Sequence, residues 1–151
     1  MGALPFIQIS LTGAKPKSSD YPKELKTLGD HLRKRRLDLK LLQKEVGQRI
    51  GGSVSDVWNW ENNWVSPAVK FIPAIIAFLG YNPLPQPTGL PEHLVRFRQA
   101  KGWTQKVFAK ALGVDQTTLA RWERGEREPR DEYLKKVFTA IGLPKELAPA
   151  L

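Results

Sequence analysis

The stretch Leu112-Gly113-Val114-Asp115-Gln116-Thr117-Thr118-Leu119-Ala120-Arg121-Trp122-Glu123-Arg124-Gly125 decides how this chain folds. Gly113 stands where a helix ending at Leu112 needs a residue in the left-handed region, which glycine enters without a Cβ penalty. Asp115 offers a carboxylate to the unpaired N–H groups of a new helix and suits the positive end of its dipole. Helical neighbours recur every three or four positions. Leu119 and Trp122 therefore form an inward stripe, while Gln116, Thr117 and Arg121 fall on the opposite face. Gly125 ends the second helix. The stretch reads as a helix, a tight turn and a short helix with a polar outer face.

That arrangement is the sequence form of a helix-turn-helix. Together with Thr104-Gln105 ahead of it, the stretch closely resembles the lambda-repressor-like (Cro/cI, or XRE-type) DNA-binding family. The competing reading is an αα-hairpin buried in some other helical protein. The outward amides and arginine, with the matching preceding helix, favour the family.

Working outward, the chain repeats itself at a spacing of 62 residues. Leu28, His31, Leu32, Arg36, Gln43, Lys44, Gly51, Trp60, Glu61, Pro67 and Gly80 recur as Leu90, His93, Leu94, Arg98, Gln105, Lys106, Gly113, Trp122, Glu123, Pro129 and Gly142. The expected fold is all-α, with two lambda-repressor-like helix-turn-helix domains in tandem. The boundaries are an arm at 1–20, a first domain at 21–82, a Pro-rich linker at 83–89 and a second domain at 90–151. Copies of about 55 residues lie near the lower limit for an independent core, so contacts between them would help. Pro83, Pro85 and Pro87 favour an extended, semi-rigid linker that holds the copies at a set separation or docked together. In the arm, Ile7, Ile9 and Leu11 alternate with Gln8 and Ser10, the period of a β-strand. Such a strand pairs with something or stays a free tail, and pairing with the same segment of a second molecule is favoured. Its only cations beyond the strand are Lys15 and Lys17, so a minor-groove role, which uses Arg, is the lesser alternative.

In the second copy a first helix is expected from Pro91 to Lys101, with Leu94, Val95 and Phe97 facing inward. Thr104 caps a helix from Gln105 to Leu112 that buries Val107, Phe108, Ala111 and Leu112. After the central stretch, a last helix from Asp131 to Ile141 buries Leu134, Val137, Phe138 and Ile141, and Gly142 and Pro144 end it. The last helix of the first copy is apolar nearly all round, with Phe71, Ile72, Ile75, Ile76, Phe78 and Leu79. A helix without a polar face must be covered on more than one side. The second copy, the N-terminal strand and a second chain are the candidates.

Charge and composition narrow the partners. With 24 Lys and Arg against 15 Asp and Glu the net charge is +9. An anionic partner follows, with nucleic acid ahead of a membrane surface. No cysteine is present, which excludes disulfides, cysteine-based zinc sites and thiol chemistry. The longest apolar run, Phe71 to Leu79, is too short to span a bilayer and contains Pro73. The short apolar stretch at the N-terminus has no basic region ahead of it and is not expected to act as a secretory signal. The expectation is a soluble cytoplasmic, nucleoid-associated protein with no membrane partner. His31 and His93 stand alone, and no nucleophile–base set, phosphate-cradling glycine loop or metal-ligand set is evident. Neither an enzyme nor a cofactor is expected.

An α-helix fits the major groove, where each base pair shows a distinct edge. The resemblance assigns base reading to Gln116, Thr117 and Arg121: Gln suits adenine, Arg suits guanine, and the Thr methyl can touch thymine. It assigns Gln105 to a phosphate, and by exposure and charge Lys106, Thr118, Arg124 and Arg127 join it, a solvated charged face being the alternative. It makes Arg98 and Glu123 an ion pair that locks the reading helix. In the first copy the ion pair is Arg36 and Glu61, the phosphate positions are Gln43 and Lys44, and the reading positions are Val54, Ser55 and Asn59. This copy departs from the pattern. Val54 offers only apolar contact, Asp56 would repel phosphate and is read instead as part of a capping box with Ser53, and Trp58 replaces Ala120 at an exposed position. Asn63 replaces Gly125. The run Arg33-Lys34-Arg35-Arg36 still favours phosphate nearby.

These readings converge on sequence-specific binding of double-stranded DNA by a bacterial or mobile-element transcriptional regulator, a repressor rather than an activator. The third helix of each copy would read successive half-sites about 34–36 Å apart. The alternative is a protein-interaction module, such as an antitoxin or accessory subunit with a protein partner, in which the first copy serves dimerisation or partner binding. A homodimer through the N-terminal strand or the last helix of the first copy fits either reading. Charge-driven architectural binding is the third.

Overall fold

Local chemistry sets the helix ends. Thr27 caps the first helix by accepting from the Asp30 N–H at 3.1 Å, while Asp30 accepts from the Thr27 N–H at 2.9 Å. Ser53 and Asp56 form the same reciprocal pair ahead of the third. Thr104 accepts from the Val107 N–H. The computed structural model describes residues 20–143. Among them the chain forms eight α-helices and no strand: α1 (Leu28–Asp38), α2 (Gln43–Ile50), α3 (Val54–Glu61), α4 (Ile72–Leu79), α5 (Leu90–Lys101), α6 (Gln105–Leu112), α7 (Gln116–Glu123) and α8 (Asp131–Ile141). A 3-10 turn, Val69–Phe71, leads into α4. The strand reading of residues 7–11 and the stop at Pro144 lie outside the described residues.

The apolar stripes bury two cores. Leu32, Val46, Ile50, Val57, Trp60, Ile75 and Leu79 close the first, between α1 and α4. Leu94, Phe108, Ala109, Leu112, Leu119, Trp122 and Val137 close the second, between α5 and α8. Each fully buried Leu or Phe is worth about 1.5–3 kcal/mol. One expectation for α6 fails. Val107 is 47% exposed and Ala111 is also on the surface, while Ala109 is buried. The core touches only the stripe 108, 109 and 112, and a residue one position before it is rotated about 100° outward. Val95, expected inside, is half-buried and stands apart from the core cluster.

Helix α4 buries Ile72, Ile75 and Leu79, with Phe71, Ala74 and Phe78 against the same core. Its other side meets the second half, where α4 packs on α5. Gly102, at φ +68° after α5, lies against Pro73, and a Cβ there would sit 3.1 Å from the Pro73 ring. The prolines between the halves are held by Arg96, whose Nη1 donates to the carbonyl of Pro85 at 2.7 Å and to Gln86 Oε1 at 3.1 Å. The two halves are thus docked rather than swinging.

Helices α1 and α3 cross at backbone contact. A Cβ on Gly29 would lie 1.8 Å from the Trp60 carbonyl oxygen, so only glycine permits the approach. Gly29→Ala is expected to cost about 1–3 kcal/mol or more through overpacking. Urea denaturation measures it, and an unchanged midpoint would contradict the packing described.

Candidate nucleic-acid interface

The surface of interest is built on α7. Asp115 caps it twice over: its Oδ1 accepts from the Thr118 N–H at 2.8 Å and its Oδ2 from the Thr118 hydroxyl at 2.6 Å. The hydroxyl bond first, then the backbone bond, holds the Asp115 carboxyl below the usual carboxylate range. With this cap set and Leu119 and Trp122 buried, Gln116, Thr117 and Arg121 stand exposed on the outer face. Their side chains hydrogen-bond to nothing among the described residues.

The helix is fixed from behind by a buried ion pair. Arg98 Nε donates to Glu123 Oε1 at 2.7 Å and Arg98 Nη2 to Oε2 at 3.0 Å. A third guanidinium N–H, on Nη1, reaches the Trp103 carbonyl at 3.2 Å. The Glu123 side chain is 4% exposed, and Gln105 Nε2 donates to it at 2.8 Å. Gln105, expected on phosphate, is therefore the third member of this network and supports α7 through its side chain. It still opens α6, where backbone N–H groups lack helical partners.

Thr118 also differs from expectation. It is half-buried and donates its only hydroxyl proton to Asp115, which leaves no donor for a phosphate. Lys106 is exposed at the head of α6. Arg124 pairs with Glu126, Nη2 to Oε2 at 2.9 Å, in an exposed bridge that solvent screens. Arg127 is exposed and lines a shallow groove with Asp115, Thr118 and Trp122. Arg121, Arg124, Lys106 and Arg127 thus give the outer face its positive charge.

The first half carries the same network in the same geometry. Arg36 Nε and Nη2 donate to Glu61 at 2.6 and 2.7 Å, Nη1 to the Leu41 carbonyl at 3.2 Å, and Gln43 Nε2 to Glu61 Oε2 at 2.9 Å. Gln43 is held like Gln105, its side chain donating to the buried carboxylate. Lys44 is exposed. The outer face is different. Val54 and Ser55 are exposed and Asn59 is half-buried. The Ser53 N–H donates to Asp56 Oδ2 at 2.8 Å, and that bond, with the Ser53 hydroxyl, holds the Asp56 carboxyl low. Asn63 takes the left-handed conformation at φ +57°. Its Nδ2 donates to Asp30 at 3.0 Å and its Oδ1 accepts from the Thr27 hydroxyl at 2.6 Å.

Two residues here escaped the sequence reading. Trp64 is 74% exposed, and its ring lies 5.9 Å from that of Trp58, itself 45% exposed. Val65 beside it is 59% exposed. The 62-residue frame contained the signal, since these positions align with Glu126 and Arg127. His31 Nδ1 shares a hydrogen bond with Tyr81 Oη at 2.7 Å, and His93 is half-buried. Among the described residues no helix is long and apolar enough to cross a membrane.

The Glu123 network yields a direct expectation. Removing its carboxylate strands the Arg98 guanidinium, so Glu123→Ala is expected to lower stability by about 3–5 kcal/mol in chemical denaturation. A variant that unfolds with the parent would contradict the structural role.

Comparison with known proteins bears on the second half. The helix-turn-helix family model matches residues 94–147. YazB of Bacillus subtilis (strain 168), described as an uncharacterized HTH-type transcriptional regulator, is 41% identical over 54 residues, covering 35% of this chain and 78% of the relative. No solved structure matches. The matched family is one of non-enzymatic DNA-binding proteins. With four fifths of that relative's length aligned and α6, the turn and α7 inside the match, the chain belongs to the XRE-type helix-turn-helix family.

Proposed function

We propose that this protein is a sequence-specific regulator of transcription that inserts α7 into the major groove of double-stranded DNA. The observation that carries the reading is the outer face of α7. The side chains of Gln116, Thr117 and Arg121 are exposed and hydrogen-bond to nothing among the described residues, on a helix whose angle a buried ion pair holds. An amide and a guanidinium in this setting match the edges of adenine and guanine, each bidentate pair being worth about 1–3 kcal/mol of discrimination. Lys106, Arg124 and Arg127 supply phosphate contacts, which set register without reading sequence. The Glu126 bridge on Arg124 is exposed and yields readily to a phosphate.

We take the first half, with its identical ion-pair network, as a second copy of the same domain. Repression by occupying a promoter in a bacterial cytoplasm is the outcome we favour over activation. A specific observation supports a second reading for the first half alone. Its outer face presents Val54 and Trp58 where the second half presents Gln116 and Ala120, which fits a protein partner better than a base edge.

The test is selection of binding sites from random duplex DNA at near-physiological salt, with the parent beside Gln116→Ala and Arg121→Ala. The parent is expected to return a defined motif, and each variant to lose one base preference and roughly 5- to 150-fold in affinity for the selected site. No motif, with binding that collapses as salt rises, would overturn sequence reading in favour of charge-driven binding.

A further inference from the structure

We propose that the cleft between the two halves of the chain binds a small neutral molecule with a flat apolar body and an amide-like edge. The cleft holds about 310 Å³, at the lower end of the range of small-molecule sites, and such sites favour the junctions between domains. Both halves build it. Leu28 of α1, Trp60 of α3 and Ile72 of α4 come from the first, and Leu84 of the linker and Gln99 of α5 complete it.

The lining says what the cleft takes. None of the residues around it is charged, in a chain where 26% are. An ion would give up water there and gain no counter-charge, a cost that a neutral molecule avoids. Two of the polar groups are already engaged: the Thr27 hydroxyl donates to Asn63 Oδ1 at 2.6 Å, and Asn63 Nδ2 donates to Asp30 at 3.0 Å. Three are not. The Gln99 amide, the Ser66 hydroxyl and the indole N–H of Trp60 bond to nothing among the described residues. Trp60 is the telling one, because it is only 3% exposed. A donor that deep in a protein ordinarily has a partner, and a ligand acceptor in the cleft that the ring lines would supply one. The Gln99 amide and the Ser66 hydroxyl each donate and accept, so a carboxamide or lactam edge matches them. The leucine and isoleucine side chains match the flat body.

Such a ligand couples the halves. The cleft is complete only while α4 rests on α5, with Arg96 holding the linker carbonyls. A molecule that binds the docked arrangement and not the undocked one shifts the balance toward docking and raises thermal stability. Gln99 follows Arg98 and Trp60 precedes Glu61, so the ligand contacts residues adjacent to both buried ion pairs. The chain as a whole, at +9, draws anions. Preference for a neutral ligand over an anion of the same shape is therefore the signature of this cleft and not of the general field. The proposal rests on the cleft alone and stands whether or not α7 reads bases.

NMR titration of the labelled full chain, without DNA, with benzamide and its charged isosteres benzoate and benzamidinium tests it. Benzamide is expected to shift the Trp60 indole and Gln99 side-chain amide resonances, saturating in the millimolar range, and to raise the unfolding temperature. Both ions are expected to bind at least about tenfold more weakly. Gln99→Glu, nearly the same shape, is expected to weaken benzamide by about threefold to tenfold and to strengthen benzamidinium. Ser66→Trp, at an exposed position whose side chain bonds to nothing, is expected to fill the mouth and abolish binding. Unchanged thermal unfolding without ligand confirms that both variants fold. No saturable shift at Trp60 and Gln99 would overturn the proposal, as would benzoate binding as tightly as benzamide. So would benzamide binding that survives both variants, or that needs residues 1–19 removed, which would give the cleft to the chain's own arm.

Discussion

A single carboxylate holds each set of three helices in register. Glu123 sits at the end of α7 and accepts from Arg98 on α5 and from Gln105 at the head of α6, while a remaining guanidinium N–H satisfies the carbonyl of Trp103 in the turn between those helices. Burying two charges is costly, and a well-packed apolar trio can match such a pair for stability. Direction is what the ion pair adds. A bidentate guanidinium fixes distance and plane together, so α7 cannot roll about its axis without breaking one of its bonds. Everything on the outer face inherits its aim from that constraint. Arg36, Glu61 and Gln43 repeat the arrangement on α1 to α3 with nearly the same distances.

Because the scaffold is set from inside, the outside is free to differ. Gln116, Ala120, Arg121, Glu126 and Arg127 in one half stand against Val54, Trp58, Asn59, Trp64 and Val65 in the other. The amide and guanidinium groups of the first suit base edges and phosphates, and the tryptophans and valines of the second suit apolar contact. The chain keeps one helix plan and presents two surfaces with different chemistry. The docking of α4 on α5, with Arg96 gripping the linker carbonyls, holds those surfaces in a set relation.

Much of this was legible in the residues because the signals were local or periodic. Gly113 and Asp115 mark the turn without any tertiary information, and the recurrence of Trp-Glu at 60–61 and 122–123 points to the shared plan. The inward set of α6 was misread because Val107 and Ala111 are apolar yet lie one helical step off the core. Their counterparts, Glu45 and Arg49, are charged and show that the position faces water. The roles of Gln105 and Thr118 were not legible for another reason. Whether an amide or hydroxyl faces solvent or turns back to a carboxylate depends on which carboxylate lies within 3 Å, a tertiary fact for Gln105 and a rotamer choice for Thr118. Trp64 was missed because a loop tryptophan has no period to betray its direction.

The central claim is that α7, and not α3, meets the DNA. Backbone amide shifts of the labelled protein, recorded by NMR as its selected duplex is added at fixed salt, test that most directly. The account predicts perturbations concentrated at Gln105–Lys106, Asp115–Arg121 and Arg124–Arg127, with little change over Val54–Asn59. Perturbations centred on Val54–Val65, or spread evenly over every exposed lysine and arginine, would contradict it.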